Sequence, residues 1–170
     1  IRKTNVLTRS PTNANYNVAA GEVRSRGLEA DLAGQIDAHW RMTANLAYTD
    51  AEVARDNNPA LLGNRLLNVP RVSAGLFAIR EDRLASGGRW GVGAGLVHVG
   101  ERTGTATDTY RLPAYTTARL TSYWQIDKRT RLTLDVHNLF DKTYYTASWG
   151  NLTVIPGLGR HVVAGVQVAF

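Results

Sequence analysis

The stretch His161-Val-Val-Ala-Gly-Val-Gln-Val-Ala-Phe170 decides the fold class, because its side chains alternate between two kinds. In an extended strand, one face is wholly apolar: Val162, Ala164, Val166, Val168 and Phe170. The other face is mostly small or polar: His161, Val163, Gly165, Gln167 and Ala169. This alternation is typical of a strand that faces lipid on one side and water on the other. The last strand of a soluble β-sandwich also alternates, so this segment alone leaves both classes open.

The charge of the chain does not indicate a nucleic-acid-binding protein. The 170 residues are enough for one domain, and 20 Lys and Arg against 14 Asp and Glu give a net charge of +6. The charges lie at the ends of apolar stretches, as in Arg80-Glu-Asp-Arg83 and Asp127-Lys-Arg-Thr-Arg131, where turns or membrane interfaces place them. We therefore expect no nucleic-acid partner. The absence of cysteine excludes disulfides and thiolate metal sites.

Extended segments recur along the chain and predict an all-β fold. Runs of alternating, β-prone residues bounded by turn residues give about eight candidate strands, at residues 1–9, 21–36, 40–53, 71–80, 89–101, 114–126, 131–140 and 159–170. Several exceed the five or six residues usual in soluble proteins. They match the roughly nine to eleven residues that a tilted strand needs to cross a bilayer.

The connections between these strands alternate in length. Short turns are predicted at 37–39, at 81–88 with its Ser86-Gly-Gly sequence, and at 127–130. Long connections are predicted at 10–20, 54–70, 102–113 and 141–158, with a weak helical turn at 59–62. Short turns on one side and long loops on the other are typical of bacterial membrane barrels. A soluble sandwich has no reason to follow such a two-sided rule.

The faces of the central strands favour the membrane barrel over a soluble fold. Three apolar faces are Trp40, Met42, Ala44, Leu46, Tyr48; Ala118, Leu120, Trp124, Ile126; and Leu132, Leu134, Val136. The opposite faces are Arg41, Thr43, Asn45, Ala47, Thr49; Tyr115, Thr117, Arg119, Thr121, Tyr123, Gln125; and Arg131, Thr133, Asp135, His137. A soluble core would not accept Arg119 and Asp135 without partners, because burying unpaired charge is costly. A wet barrel lumen accepts both.

No motif indicates catalysis. Gly91, Gly93 and Gly95 resemble a phosphate loop only superficially, because they alternate within a strand and no helix follows. They are expected to thin one face of the barrel. Asp135 and His137 share a face, but two ligands on one strand are a weak metal signal, and a lumen hydrogen bond is the better interpretation. We therefore expect no enzyme activity, no metal site and no cofactor.

Three motifs resemble the TonB-dependent ferric-siderophore receptors: Gly21-Glu-Val-Arg-Ser-Arg-Gly-Leu-Glu-Ala-Asp31, Asn138-Leu-Phe-Asp-Lys-Thr-Tyr-Tyr145 and Pro156-Gly-Leu-Gly-Arg160. The resemblance implies a transmembrane antiparallel barrel of the 22-stranded class in the bacterial outer membrane, plugged by an N-terminal domain. Residues 1–170 would be its C-terminal part, about eight strands, without the plug. The start at Ile1, without Met, also suggests a C-terminal piece of a longer protein.

The resemblance also implies partners and site residues. The ligand would be a ferric siderophore, TonB would act through the missing plug, and outer-membrane lipid and the barrel-assembly machinery would be further partners. The machinery would read the terminal strand with Phe170. Aromatic and basic loop residues suit flat, anionic chelates, and the candidates are Tyr16, Arg102, Tyr110, Arg111, Tyr144, Tyr145 and Trp149. Two alternatives remain at this point: an independent eight-stranded structural or adhesion barrel in the outer membrane, and a soluble β-barrel binding protein.

Overall fold

The computed structural model describes residues 1–13, 15–85 and 87–170, without the side chain of Asn151. Eight long strands are β1 (Arg2–Arg9), β2 (Asn17–Gln35), β3 (Trp40–Arg55), β4 (Val72–Arg83), β5 (Arg89–Val99), β8 (Tyr115–Gln125), β9 (Thr130–His137) and β12 (His161–Val168). Four short strands lie in the long connections: β6 (Arg102–Thr103), β7 (Arg111–Leu112), β10 (Tyr145–Ser148) and β11 (Val154–Pro156). Two single 3-10 turns cover Pro59–Leu61 and Gly150–Leu152.

The eight long strands form one antiparallel sheet in the order β1-β2-β3-β4-β5-β8-β9-β12. Each long strand therefore pairs with the next long strand along the chain, which is an up-and-down meander. The strands β1 and β12 lie at the two edges, so the described residues form an open sheet and not a closed eight-stranded barrel. No helix among the described residues is long and apolar enough to cross a membrane.

The register places apolar side chains opposite one another across the whole sheet. Leu134 pairs with Ala164 and Leu132 with Val166, while Asp135 pairs with Val163 on the other face. Leucines of one face are exposed along six strands: Leu28, Leu32, Leu46, Leu76, Leu96, Leu120 and Leu134. In a soluble sandwich a second sheet would cover such a face. In the described part of the chain this face is uncovered, as a lipid-facing wall requires.

The short connections join the strand ends on one side of the sheet. Two of them share the sequence Gln-Ile-Asp, at Gln35-Ile-Asp37 and Gln125-Ile-Asp127, and adopt the same turn. Asp127 Oδ1 accepts hydrogen bonds from the backbone N–H groups of Arg129 at 2.7 Å and Thr130 at 2.8 Å. These bonds hold the pKa of the Asp127 carboxyl below its ordinary value.

The carboxylate of Asp37 caps the matching turn, with its Oδ1 2.7 Å from the N–H of His39 and 2.8 Å from that of Trp40. Its pKa is lowered for the same reason. A short aspartate side chain that bonds the backbone two and three residues on forms an Asx turn, which reverses the chain without glycine. The local sequence therefore determines both turns.

The structure confirms the eight predicted strands and moves several of their ends. The strand predicted at 131–140 ends at His137, because Asn138 and Asp141 adopt the left-handed region with φ of 47° and 50°. The strand predicted from residue 71 to residue 80 continues to Arg83, which pairs with Arg89. The helical turn predicted at 59–62 is present as a 3-10 turn. Ser86 of the predicted Ser-Gly-Gly turn lies outside the described residues.

Candidate functional site

The long loops join the strand ends on the side of the sheet opposite the short turns. The loop between β5 and β8 folds back as the hairpin of β6 and β7, in which Arg102 pairs with Leu112. The loop between β9 and β12 contains the hairpin of β10 and β11. Sequence reasoning missed both hairpins, because two to four paired residues leave no readable alternation. These loops hold six of the seven predicted ligand-contacting residues, and Tyr16 lies in the β1–β2 loop.

Asn68 joins three of these loops. Its Nδ2 donates to the carbonyl of Ser148 at 2.9 Å, and its Oδ1 accepts from the N–H of Ser148 at 2.8 Å. Its own N–H donates to the carbonyl of Thr103 at 3.1 Å. The hydroxyl of Ser148, which is fully buried, donates to the carbonyl of Gly104. We name these four residues the loop junction; it binds the β3–β4, β5–β8 and β9–β12 loops into one unit.

A second set of bonds closes the base of the β9–β12 loop. The buried Asn138 donates from Nδ2 to the carbonyls of Lys142 at 2.9 Å and Leu158 at 3.1 Å. Asp141 Oδ1 accepts from the N–H of Arg160 at 2.7 Å. The sequence motifs 138–145 and 156–160 are thereby brought together. Both motifs serve the geometry of this loop, and their left-handed Asn and Asp follow turn chemistry.

Arg102 is a structural residue in this arrangement. It is 2% exposed, and its two terminal nitrogens donate to the carbonyls of Tyr145 and Thr146, both at 2.7 Å. Its guanidinium also lies over the ring of Tyr115, 5.2 Å from the centroid. The side chain therefore ties the β5–β8 loop to β10 and is not open to the space above the sheet.

Tyr110 and Tyr144 pack within the loops. The Tyr110 ring covers Gly104, and its hydroxyl donates to the carbonyl of Gly150 at 2.8 Å. The Tyr144 ring covers Gly157 and lies 4.5 Å from the ring of Tyr115, centroid to centroid. A Cβ on either glycine would overlap the ring above it. Both tyrosines are half-buried, with their faces largely used by the protein.

The remaining four candidates are open to solvent. Trp149 is 76% exposed and Tyr16 is 67% exposed, while Tyr145 is exposed at 38%. Arg111 forms ion pairs with Glu101 at 3.0 Å and Asp108 at 2.6 Å. Exposed aromatic rings and a guanidinium on the loops are the side chains expected to bind a flat anionic chelate.

The inner face of the sheet is polar, as the alternation predicted. Thr121 donates to Asp135, which confirms the expected hydrogen bond of this carboxylate. Near the short-turn end, Glu81 accepts from the Tyr123 hydroxyl and pairs with Arg41. Arg131 lies 3.9 Å above the centre of the Tyr123 ring. These four charged side chains, Asp135, Glu81, Arg41 and Arg131, therefore have partners on this face.

Gly91, Gly93 and Gly95 thin the inner face of β5, as predicted. A Cβ on Gly91 would overlap the ring of Tyr123, and one on Gly95 would lie 2.9 Å from Nε of Arg119. The Phe77 ring lies over Gly93 and receives the Arg119 guanidinium 4.8 Å from its centroid. Large side chains from β4 and β8 therefore fill the space that β5 leaves empty. In the described parts of the chain, no three His, Asp or Glu side chains are grouped to hold a metal ion.

The comparisons with known proteins agree with this geometry. The family model "TonB dependent receptor-like, beta-barrel" matches residues 1–139. The metal-pseudopaline receptor CntO of Pseudomonas aeruginosa is 39% identical across the whole of this chain, which covers 24% of that protein. The ferrichrome outer membrane transporter/phage receptor of Escherichia coli is 27% identical, again across the whole chain, which covers 23% of it.

A solved structure gives the same architecture. The crystal structure of the siderophore receptor PiuA from Acinetobacter baumannii matches with a TM-score of 0.82 and 26% identity, over 98% of this chain and 25% of that one. The chain thus spans about a quarter of the length of the relatives it matches.

Proposed function

Because this chain belongs to the TonB-dependent receptor β-barrel family, we propose that it forms part of the wall of a receptor that imports a ferric siderophore. Members of this family are barrels of the bacterial outer membrane. The observation that carries the proposal is the one-layered meander, apolar on one face and polar on the other, with interlocked loops at one end. The relatives support it, since they include a metal-pseudopaline receptor and a ferrichrome transporter.

The rest of the receptor would supply the parts that the proposal needs and this chain does not contain. In it we place the plug, the contact with TonB and the remaining strands of a barrel of the 22-stranded class. Residues 1–170 would supply about eight strands of wall and their outer loops. The reaction would be transport, and the protein would be a receptor and not an enzyme.

Within the loops, we propose that Tyr16, Arg111, Tyr145 and Trp149 contact the chelate. The exposure of the three aromatic rings supports this role, since their faces are free to stack on an apolar ring system. Arg111 would exchange its ion pairs with Glu101 and Asp108 for the negative charge of the chelate. Arg102, Tyr110 and Tyr144 would act indirectly, by holding the loops in shape. The siderophore is a transported ligand, and no resident cofactor is part of the proposal.

Growth on a single iron source tests the function. Cells that lack the full-length parent should fail to grow on ferric siderophores that wild-type cells use, and the cloned parent should restore growth.

Trp149→Ala in the full-length parent should reduce chelate binding about tenfold, because an exposed aromatic anchor contributes roughly 1–2 kcal/mol. Leu152→Ala is the matched control, since Leu152 is an even more exposed apolar residue of the same loop. Uptake that is indifferent to deletion of the parent would overturn the receptor proposal.

For assembly, we propose that the strand bearing Phe170 is read by the barrel-assembly machinery and that the apolar face contacts outer-membrane lipid. The Phe170 ring is fully exposed, and the pairing of β12 with β9 ends before it, at Val168. Deletion of Phe170 in the parent should lower the amount of heat-modifiable barrel in outer membranes. An unchanged yield would contradict this role.

A further inference from the structure

Two histidines face each other on the inner face of the sheet, at the end that carries the long loops. His137 is the last residue of β9 and His161 is the first residue of β12, and the register places them directly opposite. Directly opposite residues of an antiparallel pair have Cβ atoms about 4.5–5.5 Å apart. Both side chains are half-buried and so partly accessible from the loop side.

The two imidazole rings are adjacent, and their in-plane Nε2 lone pairs can converge on one metal ion once a ring rotates about its Cβ–Cγ bond. The rings stack with centroids 4.7 Å apart and an angle of 10° between their planes. Nδ1 of His161 lies 3.0 Å from the carbonyl oxygen of Gly159, which can only accept, so Nδ1 carries the proton. The lone pair of the neutral ring is then on Nε2. A histidine that binds a metal through one nitrogen usually donates the other N–H to such an oxygen, which fixes the ring and its tautomer.

The two histidines line a small cavity that also contains a positively charged side chain. The cavity, of about 240 Å³, is lined by both histidines together with Arg119, Asn138 and Tyr144. The guanidinium of Arg119 would repel a bare dication and attract an anion. The cavity therefore suits a metal ion that arrives already bound to a negatively charged ligand.

We propose that His137 and His161 bind a divalent transition metal, such as Ni²⁺, Cu²⁺ or Zn²⁺, whose anionic chelator leaves two coordination positions open. Imidazole nitrogen is a preferred ligand of these ions. The histidines fill the two positions and Arg119 pairs with a carboxylate of the chelator. This site is separate from the exposed aromatic loop residues and does not depend on which siderophore the receptor imports.

Ni²⁺–nitrilotriacetate is a suitable probe, because the complex is anionic and leaves two nickel positions free. The full-length parent, purified in detergent without a histidine tag, would be titrated with a fluorescent derivative of this complex. His137→Ala and His161→Ala should each weaken binding about tenfold or more, as loss of a metal-site residue commonly does. His98→Ala is the control, because His98 lies on the opposite face, where it pairs with Ala74 and Thr116.

Three further measurements make the test specific. Arg119→Gln should weaken binding of the nickel chelate more than binding of Ni²⁺ alone. Cu²⁺–iminodiacetate should gain nitrogen superhyperfine lines from imidazole in the wild type, beyond those of its own amine, and each histidine variant should show fewer of these added lines. Heat-modifiable migration of every variant checks that the barrel is folded. Equal binding by wild type and both histidine variants, or equal loss in His98→Ala, would overturn the site. Ferric siderophore uptake by the same variants is a separate readout, so failure of the site leaves the receptor function untouched.

Discussion

Asn68 and Ser148 hold each other through two hydrogen bonds, although 80 positions of sequence separate them. The side-chain amide of Asn68 donates one bond to the backbone carbonyl of Ser148 and accepts the other from its backbone N–H. The pair imitates one rung of a β-ladder between loops that leave the sheet four strands apart. Asn68 also adopts a left-handed backbone, with φ of 64°, which asparagine tolerates better than most residues.

Asn68→Ala should loosen all three loops of the loop junction. The substitution removes both bonds to Ser148 and places a Cβ residue without a compensating amide in the left-handed region. The local cost should be about 1–3 kcal/mol, the penalty for leaving buried partners unsatisfied. Amide hydrogen exchange in residues 102–112 and 145–156 should accelerate. Asn68→Gly relieves the backbone but not the lost bonds, so an effect absent in Asn68→Gly would contradict the role of the amide.

Gly91→Ala should destabilise the barrel, because the new methyl group meets the ring of Tyr123. Displacing that ring disturbs its bond to Glu81 and its contact with Arg131. Overpacking of this kind costs roughly 1–3 kcal/mol. Denaturant unfolding of the parent in lipid vesicles would measure the loss. Gly34→Ala is the control, since a Cβ at Gly34 has no neighbour within 4 Å in the described structure; equal effects would contradict the packing argument.

Val166→Arg should cost about 2–4 kcal/mol if Val166 faces the middle of the bilayer. Val166 is 70% exposed and pairs with Leu132 on the apolar face. The neighbouring Gln167→Arg should cost clearly less, because its side chain lies on the polar face, where water screens its repulsion by the directly opposite Arg131. The comparison uses the same unfolding measurement in vesicles. A larger loss for Gln167→Arg would show that the lipid and lumen faces are inverted.

The turn at 127–129 should weaken in acid. The pKa of Asp127 is lowered in the folded protein, so its contribution is complete above the ordinary carboxyl pKa and is lost as the pH falls through the lowered value. Exchange of the Arg129 and Thr130 amides, corrected for intrinsic rates, should therefore rise below about pH 4. Asp127→Asn keeps the acceptor oxygen without titrating. If the asparagine variant shows the same rise, ionisation of Asp127 is not the cause.

The sequence was sufficient for the sheet because each strand carries its own information. Alternation at 161–168 or 40–48 depends only on neighbouring residues, and the Asp37 and Asp127 turns use contacts two and three residues away. The pairing register of neighbouring strands follows from this alternation, since a slip by one residue would exchange the lipid-facing and inner faces. The predicted small inner face of β5 and the hydrogen bond of Asp135 follow from the same reasoning.

The loops could not be predicted in this way. From the sequence, Arg102 is expected to be an exposed cation in a loop. In the fold it is buried against the carbonyls of Tyr145 and Thr146. Ser148 and Asn68 carry no local signal of their pairing, because the bond depends on the path of two loops in space. The stacking of His137 on His161 likewise depends on the pairing of β9 with β12 and leaves no local signal. Local patterns determine strands, whereas contacts between loops depend on the completed sheet.

The three inward glycines of β5 have a consequence for how related barrels vary. Positions 91 and 123 share one volume, as do positions 95 and 119, and Phe77 occupies the space above position 93. A bulkier residue on β5 is compatible with this wall only when its partner on β4 or β8 shrinks. Among homologues, these pairs should exchange size at nearly constant total volume. Correlated substitution at these positions would then result from side-chain packing in the barrel wall, independently of the imported chelate.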